Sequence, residues 1–353
     1  MEWKGTIQFM KEKIAKIILM VGIMSVFLLS GCVEEMPISE EGKETVYEFG
    51  KEKISYGEVY IYANTIKENY ESTYGPGIWS IELENSEGIL KTVESVTRED
   101  IIESINRAKV LASKANKYNI SLSEENKAEI KEKAKAFYEG LTKQDLETSR
   151  ITLPLVEKIY EENTMASKVY KKVLMEQDFE VSEEEARMTT FFDMIFECYT
   201  LEEDGTITPY SDEKKTEQFK KANEALHRLA TEENMDERDI VIQYDLQYTN
   251  TYTLSKIDII KEYGEEVSDV LLGLSDGGFS KVVESEYGYH IFKMIQIHNV
   301  DFTKENQANM TAEKEKEYFA VLYEKWLKEY DGRFNYQRDV NMEVFEEIPL
   351  SKK

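Results

Sequence analysis

The chain has 353 residues, enough for two domains at roughly 150 residues apiece. Its 44 Lys and Arg against 70 Asp and Glu leave a formal net charge of −26, while 41% hydrophobic residues and five prolines mark a globular composition. So acidic a chain repels phosphate backbones, which argues against nucleic acid as a partner, and two cysteines with three histidines (His227, His290, His298) build neither a zinc framework nor a multi-disulfide scaffold.

Lys4, Lys11, Lys13 and Lys16 precede a thirteen-residue apolar run from Ile17 to Leu29. Such a run is short for a permanent bilayer span and suits a secretory signal, with either Met1 or Met10 as its start. It ends in Leu29-Ser-Gly-Cys32, which resembles a bacterial lipobox. That resemblance implies cleavage after residue 31 and lipidation of Cys32; an uncleaved signal or ordinary membrane anchor is the alternative. Cleavage removes four Lys and two Glu and leaves 40 basic and 68 acidic residues, a net charge of −28. With Cys32 lipidated, Cys198 has no intrachain partner and reads as a small packing residue. Residues 32–44 form a polar tether, fitting a protein anchored to a membrane through lipid and not embedded in it.

Val46-Tyr-Glu-Phe49 alternates as a short strand, Gly50-Lys51 supplies a turn, and Ser55 with Glu58 forms a capping box that opens a helix to about Tyr70. Residues 71–95 read as a loop. Thr97 with Asp100 opens a second helix, in which Ile101, Ile105, Ala108, Ala112 and Ala115 form one apolar stripe closed by Asn119. Ser121 with Glu124 starts a charged helix toward Gly140, and another is expected over 152–177. Residues 45–182 are therefore a mostly helical lobe. Its aromatic residues Tyr56, Tyr60, Tyr62, Tyr70, Tyr74 and Trp79 line either its core or a client-binding surface.

Beyond Ser182 and Glu185, a capped connector helix, the character changes. Strands are expected over 191–199, 240–246, 252–254, 279–284 and 290–297, and helices over 216–231 and 267–274. Residues 183–299 thus read as a compact α+β domain. From Thr303 the helical pattern returns, with Phe319, Leu322, Trp326, Leu327 and Tyr330 on one face. That face needs the N-terminal lobe as its partner, so 300–353, with a final strand over 334–345, completes the lobe and makes the α+β domain an insertion.

This order of parts resembles the PrsA-type foldase lipoproteins and the related chaperone SurA. Two motifs carry the resemblance: Val46-Tyr-Glu-Phe-Gly-Lys-Glu-Lys-Ile-Ser-Tyr-Gly-Glu58, and Leu274-Ser-Asp-Gly-Gly-Phe-Ser280 with Tyr287-Gly-Tyr-His-Ile-Phe-Lys293. The second resembles the end of a parvulin domain, and the fold it implies is α+β: a helical chaperone lobe completed by the C-terminal helix, with an inserted parvulin-like domain. The resemblance puts His290 at an active-site histidine and Asp236 where parvulins place an aspartate or cysteine. Asp193 replaces the histidine of the family's opening strand. It also implies a substrate surface at Tyr287 and a proline pocket at Tyr263 and Val267, or at Ile259 and Tyr263 after a one-turn shift.

A prolyl isomerase lowers an amide rotation barrier of about 18–20 kcal/mol without breaking a covalent bond, by binding the twisted amide better than either planar form. An apolar pocket and a few polar groups suffice, and no metal or cofactor is called for. Three functions follow as expectations: an isomerase for unfolded or partly folded exported proteins at the outer face of the cell membrane, an isomerase-inactive chaperone of the same build, or an envelope scaffold. For His290 itself, catalysis and packing remain equal alternatives; His227 and His298 sit in no motif.

Overall fold

The computed structural model describes residues 44–84, 88–202 and 206–351, so the signal, Cys32 and the tether up to residue 43 lie outside the described residues. The chain divides into two compact units: one runs to Asp178 and resumes at Tyr318, and the other is Phe179–Glu317.

The first unit opens with a hairpin of β1 (Thr45–Phe49) and β2 (Glu52–Ser55), turned at Gly50 with φ +63°. A Cβ there would lie 2.6 Å from a ring carbon of Tyr330, so the turn takes glycine for its backbone angle and for the approach of that ring. Ser55 caps α1 (Tyr56–Tyr74) by accepting from the Glu58 N–H. The other half of the expected capping box does not form, because the Glu58 side chain turns inward to the Lys109 ammonium at 2.9 Å. Lys109 also meets Glu52 at 2.9 Å and Glu162 at 3.0 Å. Burial works against its charge, but Glu58 and Glu162 outweigh it and hold the Lys109 pKa well above the ordinary lysine value.

The expected loop over 71–95 contains regular structure: a short 3-10 turn (Pro76–Ser80) and a hairpin of β3 (Glu82–Glu84) with β4 (Leu90–Thr92). Thr92, not Thr97, caps α2 (Val93–Ser113), and Ser123, not Ser121, caps α3 (Glu124–Gly140) through a capping box with Asn126. A short α4 (Lys143–Ser149) precedes α5 (Leu153–Met175). The aromatic residues settle as core: Tyr56, Tyr60, Tyr70 and Trp79 are buried, while Tyr62 and Tyr74 pack against the same cluster. The unit is completed by the second half of α10 (Val300–Asp331), whose Phe319, Tyr323 and Trp326 enter the core. The strand expected over 334–345 is instead two short helices, α11 (Tyr336–Asp339) and α12 (Met342–Glu346), each capped by an asparagine.

In the second unit, one four-stranded antiparallel sheet runs in the order β8–β5–β10–β9, with β5 (Met188–Glu197), β8 (Asn250–Ser255), β9 (Val283–Glu284) and β10 (Gly288–Gln296). The expected strand over 279–284 shrinks to β9 and a single bridge from Phe279 to Lys293. The connector at 182–186 is one turn. A small hairpin of β6 (Tyr199–Leu201) and β7 (Ile207–Pro209) follows β5.

Period-2 alternation puts successive β5 and β10 side chains on opposite faces. One face, with Met194, Phe196 and Ile291, is covered by α6 (Asp212–Thr231) and α7 (Glu237–Tyr244). The other, with Phe191, Phe292 and Met294, is covered by α8 (Lys256–Tyr263) and α9 (Glu265–Leu272). Residues 240–246, expected as a strand, lie mostly in α7. Asp236 caps that helix by accepting from the Arg238 and Asp239 N–H groups, which starts a helical turn before the alternating stretch begins. The first turn of α10 is tied back to β5 by the Thr303 hydroxyl, which accepts from the Met188 N–H.

Gly288 opens β10 at φ +151°, where a Cβ would meet the Phe196 carbonyl oxygen at 2.3 Å. Gly288→Ala is expected to cost about 2–4 kcal/mol of stability, since backbone must shift where β5 and β10 pair; urea unfolding followed by circular dichroism checks it. On α2, burial and the nearby Glu103 and Glu99 raise Asp100 to about 6. A raised carboxyl pKa favours the folded state below its unfolded value near 3.8, and that advantage is lost as the pH rises through about 6. Asp100→Asn should therefore raise Tm at pH 7.5 relative to wild type and leave it nearly unchanged at pH 4, measured by paired thermal scans.

Candidate functional site

The antiparallel register pairs Asp193 of β5 with Phe292 of β10 and Ile195 with His290. Asp193 and His290 are therefore diagonal neighbours on one sheet face, close enough for polar side chains to meet. The imidazole Nδ1 lies 2.8 Å from Asp193 Oδ1 and 3.1 Å from Oδ2. A carboxylate only accepts, so Nδ1 is the donor. On the other side of the ring, Nε2 lies 2.7 Å from Ser285 Oγ, and the same oxygen accepts from the Tyr287 N–H at 3.1 Å. The Tyr263 hydroxyl, from the end of α8, donates to Asp193 Oδ2 at 3.1 Å.

Aromatic rings enclose this chain of hydrogen bonds. The His290 ring stacks on Phe292 at 5.4 Å, and Tyr263 meets both rings edge-on at 5.7 and 5.3 Å. His290 is 3% exposed and Asp193 4%. Burial first, and then the charge of Asp193, push the Tyr263 phenol far above its ordinary pKa. Both imidazole nitrogens are occupied and one ring face is stacked on Phe292, so the imidazole holds its neighbours in place and presents no free nitrogen. The network meets solvent at Tyr287, which is 40% exposed.

The residues singled out from sequence are thus only partly brought together. His290, Asp193 and Tyr263 join directly, and Tyr287 joins through Ser285. Asp236 does not join them. Its carboxylate is spent on the N-cap of α7, beside the Glu237 that pairs with Lys293 on the sheet's other face. Val267 and Ile259 are both buried in the core beneath α8 and α9, whereas Tyr263, shared by both alternatives for a proline pocket, is only partly buried. Ser285 escaped sequence reasoning, although its place two residues before Tyr287 was visible. His298 faces Glu183 at 3.1 Å, and His227 lies exposed on α6.

Residues 6–140 match the SurA-like N-terminal domain family. A foldase protein PrsA of Clostridium perfringens is 23% identical over 353 residues, covering 93% of this chain and 94% of its own. This chain is similar to the PrsA/SurA-type foldases. Among solved structures, the foldase protein PrsA of Lactococcus lactis is 12% identical with a TM-score of 0.31, covering 88% of this chain and 100% of its own. The peptidylprolyl isomerase PrsA of Bacillus cereus is 15% identical with a TM-score of 0.28, covering 76% of this chain and 99% of its own. The fold itself mixes helices with small antiparallel sheets, and the part that matches the SurA-like N-terminal domain family is largely helical among the described residues. Among the described residues no helix is long and apolar enough to cross a membrane.

Two substitutions separate the parts of the network. Asp193→Ala strands the His290 and Tyr263 donors in the interior and should cost about 3–5 kcal/mol. Tyr263→Phe removes one hydrogen bond to a carboxylate and should cost about 1–3 kcal/mol. Chemical denaturation of both variants beside wild type checks the order, and a Tyr263→Phe cost equal to that of Asp193→Ala would contradict it.

Proposed function

We propose that this chain is an extracytoplasmic foldase anchored through a lipid on Cys32, and that it isomerises X–Pro bonds in unfolded exported proteins. The observation that carries this reading is the Tyr263–Asp193–His290–Ser285 chain of hydrogen bonds, which ends at a half-exposed tyrosine on a sheet with the parvulin-like motif. The similarity to foldases supports the role in protein folding, and the signal-like segment with its lipobox supports the location.

The chemistry asked of the site is modest. X–Pro bonds isomerise unaided over tens to hundreds of seconds, slow enough to limit folding. Catalysis needs a surface that grips the twisted amide, and rigidity there prevents reorganisation from opposing the gain. His290 and Asp193 are positioning residues in this scheme. Through Ser285 they fix the segment that presents Tyr287, while the client lies across the rim and not against the imidazole.

One observation favours a second reading. His290 and Val267 are both buried, which suits a chaperone of the same build that holds extended segments without isomerising them. A proline-isomerisation assay on a short X–Pro peptide separates the two. Acceleration above the uncatalysed rate by the full mature chain is the expected result; a rate equal to buffer removes the isomerase and leaves the holder. For the holder, suppression of aggregation of an unfolded client is then the readout.

A further inference from the structure

The rim beside the His290 network is made of tyrosines and carboxylates. Tyr199, at the start of β6, stacks with Tyr248 at 6.0 Å and meets Tyr287 edge-on at 6.1 Å. Tyr248 is 46% exposed and Tyr287 40%, so two of the three rings offer open edges or faces. Three elements bring them together: the end of β5 with the β6 strand after it, the segment after α7, and the turn before β10.

Acidic side chains frame the cluster. Glu197 accepts from the Gln247 N–H at 3.3 Å and so sits beside Tyr248. Glu286 adjoins Tyr287, and its charge, followed by its hydrogen bond, raises that phenol; Glu262 of α8 adds to the same effect. Asp245 lies close enough to help raise Glu197, whose burial is the larger cause. Among the described residues none of Glu197, Asp245, Glu262 and Glu286 is paired with a Lys or Arg. Nearby, the Lys214 ammonium rests 3.3 Å from the centroid of Tyr210, whose N–H donates to the Cys198 carbonyl just before Tyr199. One ammonium on an aromatic face is therefore already part of this end of the unit.

We propose that this tyrosine and carboxylate rim selects client segments that carry Lys or Arg next to the residue it holds. The occupant is an extended, cationic stretch of unfolded polypeptide. Its aliphatic or prolyl carbons lie on Tyr287 and Tyr248, and its ammonium or guanidinium lies among the four carboxylates or over a tyrosine face. The inference rests on the foldase reading for the kind of client and adds a charge preference to it. Segments with Glu or Asp at the same place are disfavoured by like charge.

The test uses the mature chain and three fluorescently labelled decapeptides that differ only in the residue before a central proline: Lys, Ala or Glu. Binding is followed by anisotropy. At about 50 mM salt, where exposed charges are only weakly screened, the Lys peptide should bind about tenfold tighter than the Glu peptide; at about 500 mM the gap should close. The double variant Glu262→Gln/Glu286→Gln, both positions exposed, should bring the three affinities together at low salt. Equal affinities for the Lys and Glu peptides in wild type overturn the inference, as does a gap that survives the double variant. Failure to bind any of the three also overturns it, even where isomerase activity is measured. A Lys preference in a protein without isomerase activity upholds it and removes only the enzymatic half of the foldase reading.

Discussion

The antiparallel register of β5 on β10 is the constraint on which the second unit depends. It sets Asp193 opposite Phe292 and hence diagonal to His290, and it places Phe191, Asp193, His290 and Phe292 on one face. A slip of β10 by one residue would carry His290 and Phe292 to the face now occupied by Met194, Phe196 and Ile291, away from Asp193 and Phe191. Gly288 holds the register at one end, because only a residue without a Cβ lets β10 begin against the Phe196 carbonyl. The hydrogen-bonded chain is then a by-product of pairing: two polar side chains buried on an apolar face must satisfy each other, and Tyr263 and Ser285 absorb what remains.

The first unit meets a related problem with charge. Lys109 from α2 is buried against carboxylates from β2, α1 and α5, so four elements converge on one ammonium. Such a cluster adds little to stability compared with an apolar replacement, yet it fits one arrangement of the helices and few others. Trp326, Tyr323 and Phe319 join the apolar core of the same unit, whose burial supplies the hydrophobic stabilisation.

Much of this was legible in the sequence where periodicity and capping agreed. The helix after Ser55, the helix after Thr152 and the strand through Phe191 follow from local pattern, and Phe319 and Trp326, spaced on one helical face, lie in the core with the N-terminal residues. Errors arose where two local signals competed. Residues 240–246 alternate like a strand, but the Asp236 cap starts a helix first. Residues 334–345 are apolar enough for a strand, but Asn335 and Asn341 each start a helical turn. At the site, the parvulin-like motif marked His290, and its meeting with Asp193 is a long-range pairing that spacing cannot reveal. Asp236 lay outside for the opposite reason: its carboxylate serves its own helix. The depth of Val267 depends on how α9 seats on the sheet, which the motif does not encode.

Because the second unit interrupts the first in sequence, the order in which the chain becomes available matters. The core around Val46, Ile105 and Val169 waits for Phe319 and Trp326, which follow about 140 residues of intervening polypeptide. As the chain emerges N-terminus first, the interrupting unit has all its parts while the earlier one still lacks its last helix. A protein similar to foldases would then spend its own youth as an unfinished chain, sealed only when Trp326 arrives.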